Sequence, residues 1–102
     1  MLIEKVNSGE YSQCRIPGIV LTDEGTLLAY YECRRTNSDW AKIDIKVIRS
    51  SDEGKTWQTV LLIEGNENTL NNPVMIVKGK ELHFLYLENY GTLFTVSAPM
   101  TA

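Results

Sequence analysis

Apolar residues fall in short runs along almost the whole chain, and turn-forming residues separate the runs. Residues 15–21 (RIPGIVL) and 26–34 (TLLAYYECR) are rich in Ile, Val, Leu and Tyr. They flank TDEG, an acidic turn with a glycine suited to positive φ. Residues 42–50 (KIDIKVIRS) set Ile43, Ile45 and Val47 against Asp44 and Lys46, the two-residue period of a half-buried strand. Residues 57–64 (WQTVLLIE) predict a fourth strand. A polar loop, GNENTLNN, follows and leads into PVMIV and ELHFLYLE. No window carries helical periodicity, so the pattern predicts an all-β fold.

The pattern also repeats. Pro17 and Pro73 each open an apolar strand 56 residues apart, and Glu32 (closing AYYE) and Glu88 (closing LYLE) share that spacing. A period near this size with four strands per unit fits a β-propeller blade. The expected division is a first blade over about residues 13–65, with its Trp-bearing turn at 50–57, and the start of a second over about 72–97. Open blade faces and an unpaired edge favour self-association.

Composition narrows the function. The 102 residues suit one small domain, and 43% apolar with 23% charged content is that of a folded chain. A net charge of -3 offers no general attraction to phosphate backbones or anionic lipid, so neither nucleic acid nor membrane is an expected partner. The start, MLIEKVNSGEYSQC, lacks a basic flank followed by a continuous apolar stretch. As written, that places the chain in the cytoplasm, or outside the cell if an upstream signal precedes it. Cys14 and Cys33 have no CxxC spacing and His83 stands alone, so no metal, cofactor or redox chemistry is indicated.

Candidate chemistry comes from the first hairpin. If residues 23–26 form its tip, Arg15 lies opposite Arg34. Like charges so placed cost some tenths of a kcal/mol, roughly, and invite an anion between them. The alternatives are a bulge that shifts the register by one residue, or neutralisation by an acid such as Glu32. In the same register Cys14 faces Arg35, leaving Cys33 diagonal to it at about 7 Å or more, so two thiols are expected rather than a disulfide. The loop RTNSDWA at 35–41 brings Asp39 to the same rim, beside Trp40. Two arginines and a carboxylate suit an acidic sugar: the arginines bind its charged groups in forked geometry and the acid protonates the departing oxygen. The other reading of Asp39 is a turn former or a partner for Arg35. Asn72, before Pro73, occupies the matching rim position of the second repeat.

Residues 50–57 (SSDEGKTW) fit S-x-D-x-G-x-T-W at every fixed position. This pattern resembles the Asp box of the sialidase-like β-propellers, a turn whose short acid accepts bonds from its own loop, so Asp52 is read as structural. RIP at 15–17, an arginine ending the next strand, an acid in the following loop and then the Asp box occur in the order seen in exo-sialidases. The resemblance implies a six-bladed propeller, of which the chain holds about one and a half to two four-stranded antiparallel blades; six such units need roughly 330 residues. It implies a retaining glycoside hydrolase that removes terminal sialic acid, with a sialoglycan or other acidic sugar as partner. It also implies Arg15 as one of three arginines on the sugar carboxylate, Arg34 near its O4, and Asp39 as general acid/base. The chain departs from that family at Cys14, often aromatic there, at Arg35 beside Arg34, in a loop one residue shorter, and at Asn72-Pro73, often Asp-Pro. The tyrosine nucleophile, its glutamate and two further arginines find no match, so the chain alone is expected to be inactive. Two alternatives stand beside it: a non-catalytic Asp-box module that binds carbohydrate or a partner, and a hydrolase of the same fold acting on a different glycan.

Overall fold

Seven strands make up the regular structure of residues 10–99, the part of the chain that the computed structural model describes. They are β1 (Gln13–Leu21), β2 (Leu27–Arg34), β3 (Ile43–Ser50), β4 (Gln58–Ile63), β5 (Leu70–Lys78), β6 (Glu81–Glu88) and β7 (Thr92–Pro99). β1 to β4 form one antiparallel meander and β5 to β7 a second, with no helix among the described residues. The chain is therefore all-β, and the apolar runs lie within β1 to β6. Two boundaries differ from the sequence reading. Leu70–Asn72, expected in the polar loop, opens β5, because Leu70 and Asn71 pair with Glu88 and Leu87 and are buried. The segment from Thr92, not read as a strand, pairs along all of β6 from Glu88↔Thr92 to Glu81↔Pro99.

The register of the first hairpin is the principal correction. Thr22 and Thr26 close a three-residue tip in which the Thr22 N–H donates to the Thr26 carbonyl at 2.9 Å. The Gly25 N–H donates to the Thr22 carbonyl at 3.0 Å, and Gly25 takes φ +84, the role glycine plays in such loops. Gly18 thereby faces Tyr30, and a bulge between Arg15 and Gly18 then moves the pairing by one more residue. Pro17 has no N–H to give the ladder, and Ile16 sits at φ 55. As a result Arg15 faces Glu32, and Arg34 faces Gln13; the two arginines are not opposed. Cys14 faces Cys33 and not Arg35, and both are thiols, not joined in a disulfide.

The second sheet repeats the irregularity. Its register breaks between Asn71 and Val74, and Asn72 before Pro73 takes φ 54, nearly the value of Ile16 before Pro17. The proline spacing thus marks a repeated bulge. The glutamate spacing does not mark equivalent positions: Arg15 faces Glu32, whereas Asn71 faces Leu87 and Glu88 faces Leu70. The cause is the β5–β6 tip, which is one residue shorter, with Lys78 paired directly to Glu81.

β2 is buried from Leu28 to Arg34, which explains its apolar residues on both faces. One face joins Leu28, Tyr30, Ile45 and Val47 to Leu70, Met75 and Phe84 of the second sheet. Tyr30 meets Phe84 edge-on, ring centroids 5.6 Å apart. Such a pair contributes roughly 0.5–1.5 kcal/mol beyond the area it buries. The other face gathers Ala29, Tyr31, Cys33 and Ile48, with Tyr11, Cys14 and Trp57 packed against them.

The Ser50–Trp57 turn between β3 and β4 is held by its own residues. The Asp52 carboxylate accepts from the Ser50 hydroxyl (2.7 Å), the Thr56 N–H (2.8 Å) and the Thr56 hydroxyl (2.5 Å). The Thr56 and Ser50 bonds hold its pKa near 2, below the carboxylate range. Trp57 donates its indole N–H to the Gly54 carbonyl at 3.1 Å. Glu53 and Gly54 both take left-handed φ, so the conformation expected of the glycine alone is shared with its neighbour.

Candidate functional site

Side chains two apart on a strand share a face, so Glu32 and Arg34 of β2 point the same way, with Arg15 opposite Glu32 on β1. Glu32 is fully buried. Its Oε1 accepts from Arg34 Nε at 2.9 Å and Arg34 Nη2 at 2.6 Å. Its Oε2 accepts the main-chain N–H of Asn72 at 2.8 Å. One carboxylate therefore fixes a guanidinium in the first sheet and the bulged strand of the second.

Arg34 turns its remaining edge to Asp39. Its Nη1 donates to Asp39 Oδ1 at 2.6 Å, and Arg15 Nη1 lies 3.8 Å from the same oxygen. Arg15 and Arg34 thus converge on one carboxylate although they are not cross-strand partners. Both alternatives to an opposed arginine pair, the bulge and neutralisation by Glu32, are present, and the convergence survives them. The four groups balance, two cations against two anions.

Exposure divides their roles. The Arg34 side chain is 4% exposed, against 49% for Arg15 and 60% for Asp39. Burial opposes the charge on Arg34, but the bonds it donates to Asp39 and Glu32 outweigh it and raise its pKa. The Arg34 hydrogen bond, then its charge, holds Asp39 below the usual carboxylate range. Asn72 is exposed, tied in through its main chain.

Arg35 belongs elsewhere. It binds Glu10 at 2.5 Å and Asp44 at 2.8 Å and lies 5.0 Å from the centre of the Tyr11 ring. It neither competes with Arg34 nor partners Asp39. Asp44, almost fully buried, also accepts from the Tyr11 hydroxyl (2.7 Å) and the Gly65 N–H (2.9 Å), which anchors the start of β3.

The loop between β2 and β3 is stabilised locally by the Ser38 N–H on Thr36 Oγ1 (3.2 Å) and the Trp40 N–H on Ser38 Oγ (3.1 Å). From the second sheet, Thr69 donates its hydroxyl to the Ala41 carbonyl and Tyr90 donates its hydroxyl to the Asp39 carbonyl at 2.9 Å. Sequence reasoning named Glu32 only as a possible neutralising acid, and missed Thr69 and Tyr90 as parts of this arrangement. For Glu32 a signal existed: an acid in an otherwise apolar strand, two residues before an arginine, must find a cation when buried. Thr69 and Tyr90 act through contacts 28 and 51 residues away in sequence, which no local pattern encodes.

Chemically, the cluster is a carboxylate seated on two guanidinium groups, one buried and one half exposed. It can exchange that internal anion for an external one, or move a proton at Asp39.

No family model matches the chain. It is 35% identical over 77 residues to a sialidase of Bacteroides fragilis (strain YCH46), covering 65% of this chain and 14% of the relative. It is 42% identical over 53 residues to a sialidase of Clostridium perfringens, covering 51% of this chain and 14% of that relative. The chain is sialidase-related, and it spans about 14% of the length of the curated relatives it matches.

Proposed function

We propose that the chain supplies one part of the site of an exo-α-sialidase-like glycoside hydrolase that removes terminal sialic acid. The single observation behind this reading is the Asp39 carboxylate oxygen shared by Arg34 and Arg15. In this reading the two sheets are consecutive blades of a six-bladed propeller, the first over about 13–65 and the second from about 72–97. The turn at 50–57 is its Asp box, and the bulge repeated at Pro17 and Pro73 supports that division.

Arg15 is the exposed cation that meets the sugar carboxylate. Arg34, locked by Glu32, offers the edge that Asp39 occupies. An incoming carboxylate competes with Asp39 for both arginines. Released from Arg34 and set beside a second negative charge, Asp39 gains proton affinity and becomes the proton donor to the departing glycosidic oxygen. Asn72 lines the rim next to Glu32. Hydrolysis with retention also needs a nucleophile, which this cluster does not contain, so the chain alone binds an acidic sugar without turning it over.

The test is a titration of the chain with N-acetylneuraminate, glucuronate and neutral N-acetylmannosamine, followed through the arginine side-chain NMR signals. Saturable shifts with the acids, lost in Arg15→Ala, are expected. An equal response to the neutral sugar sinks the anion-site reading. Asn72 favours a second reading: its amide cannot ionise, which suits a hydrolase of another acidic glycan, and preference for glucuronate over N-acetylneuraminate selects it. A response by the complete protein that includes binding but no hydrolysis leaves a carbohydrate-binding module.

A further inference from the structure

Trp40, beside Asp39, is 72% exposed, far more than is usual for a side chain of its size. Its ring lies against Tyr90 of the second sheet, centroids 4.6 Å apart and planes at 57°. The Tyr90 hydroxyl donates to the main-chain carbonyl of Asp39 at 2.9 Å. Tyr90 therefore touches two successive residues of the loop, one through its ring and one through its hydroxyl.

The backbone that carries Tyr90 is unusual. Asn89 and Tyr90 take φ 52 and 59 in the β6–β7 tip, and the Gly91 N–H donates to the Glu88 carbonyl at 3.2 Å. Two left-handed residues in succession make the hairpin turn that favours Asn-Gly. Asn89 suits it; a bulky aromatic at the second position does not. Glycine would serve the turn better, so the ring is retained against the local preference, as at sites where strain supports function. The same tip is tied to the base of the loop. The Asn89 N–H donates to the Thr69 carbonyl at 2.7 Å, the Thr69 N–H donates to Asn89 Oδ1 at 3.0 Å, and Thr69 donates its hydroxyl to Ala41.

We propose that Tyr90 is a positioning residue for Asp39: the β6–β7 tip reaches across from the second sheet and holds the loop so that the carboxylate stays on Arg34 and Arg15. This rests on the reading above, in which Asp39 is the working group of the site. The loop's own bonds, Ser38 to Thr36 and Trp40 to Ser38, span two residues each and do not fix its distance from the arginines.

The variants are Tyr90→Phe, which keeps the ring and loses the hydroxyl, and Tyr90→Gly, which loses both and relieves the backbone. The first readout is the titration of the Asp39 side-chain carboxyl by carbon-13 NMR, assigned by its loss in Asp39→Asn. It needs no ligand. Its midpoint should move up toward the ordinary carboxylate range in Tyr90→Phe and further in Tyr90→Gly. The second readout is affinity for N-acetylneuraminate, which competes with Asp39 for the arginines and should therefore rise about threefold to tenfold in Tyr90→Phe, the worth of one neutral hydrogen bond, and more in Tyr90→Gly. The melting temperature of Tyr90→Gly should hold or rise, separating positioning from folding. An Asp39 titration unchanged in both variants overturns the proposal, whatever happens to stability. A wild-type chain that binds no acidic sugar counts against the sialidase-like reading, while the Asp39 titration still decides the role of Tyr90.

Discussion

The carboxylate of Glu32 and the main-chain N–H of Asn72 meet at 2.8 Å across 40 residues of sequence, joining the two sheets at the point where the arginines converge. Because Glu32 is fully buried and holds Arg34 with its other oxygen, it carries both the docking of β5 and the placement of the guanidinium.

Glu32→Gln removes the charge but keeps the shape. Arg34 is then buried with Asp39 alone to compensate it, and breaking a buried pair costs about 3 kcal/mol or more. A chain of this size holds roughly 5–15 kcal/mol in total, so urea denaturation should show a large loss. A midpoint within error of wild type would mean that Glu32 is not the anchor of Arg34.

Arg15 and Arg34 should separate binding from folding. Arg15 is half exposed, so Arg15→Ala should change stability by no more than about 0.5 kcal/mol while removing the response to acidic sugars. Arg34→Ala leaves Glu32 buried and unpaired and should cost about 3–5 kcal/mol. Paired melting and titration experiments on the two variants check this. Equal destabilisation by both would contradict the division of roles.

Acid should destabilise the fold over a defined interval. Asp39, Asp44 and Asp52 all bind protons more weakly when folded. For Asp44 burial works the other way, but its bonds from Gly65, Arg35 and Tyr11 prevail. A depressed folded pKa gives stability that is complete above the unfolded value, about 3.9, and is lost as pH falls through the folded one, near 2 for Asp52. The urea midpoint should therefore fall from about pH 4 downward. Asp52→Asn, already weakened at neutral pH, should fall less steeply across that interval; an identical slope rules out Asp52 as a contributor.

Gly65→Ala should damage the fold without touching the site. A methyl group at Gly65 meets the carbonyl oxygens of Ile43 and Asn68, both main-chain atoms that cannot swing aside. Overpacking of this kind costs about 1–3 kcal/mol, and the shift also disturbs the Gly65 bond to Asp44. Calorimetry that finds an unchanged melting temperature would show that the loop relaxes freely.

The strands and the Ser50–Trp57 turn were legible because their signals are local: runs of β-branched and aromatic residues, and an acid whose partners lie within its own loop. The register was not. It depends on whether the tip at Asp23–Gly25 holds two or three residues and on a bulge at Ile16-Pro17, and each choice moves every cross-strand neighbour by one. Arg15 and Arg34 were expected together because they should oppose each other. They come together instead because Asp39 draws the exposed arginine toward the one that Glu32 fixes. Thr92–Pro99 escaped notice although Thr92, Phe94, Thr95 and Val96 are strand formers, and its pairing along β6 makes it a strand.

The gap in the β5–β6 ladder at Asn72-Pro73 has an effect on the opposite side of the interface. Asn72 has no cross-strand partner in that ladder, and its main-chain N–H is taken instead by the Glu32 carboxylate of the other sheet. At this point the seam between the two layers is a single side chain meeting a backbone amide, and a residue at position 32 without a carbonyl or carboxylate oxygen would leave that amide unanswered at the seam.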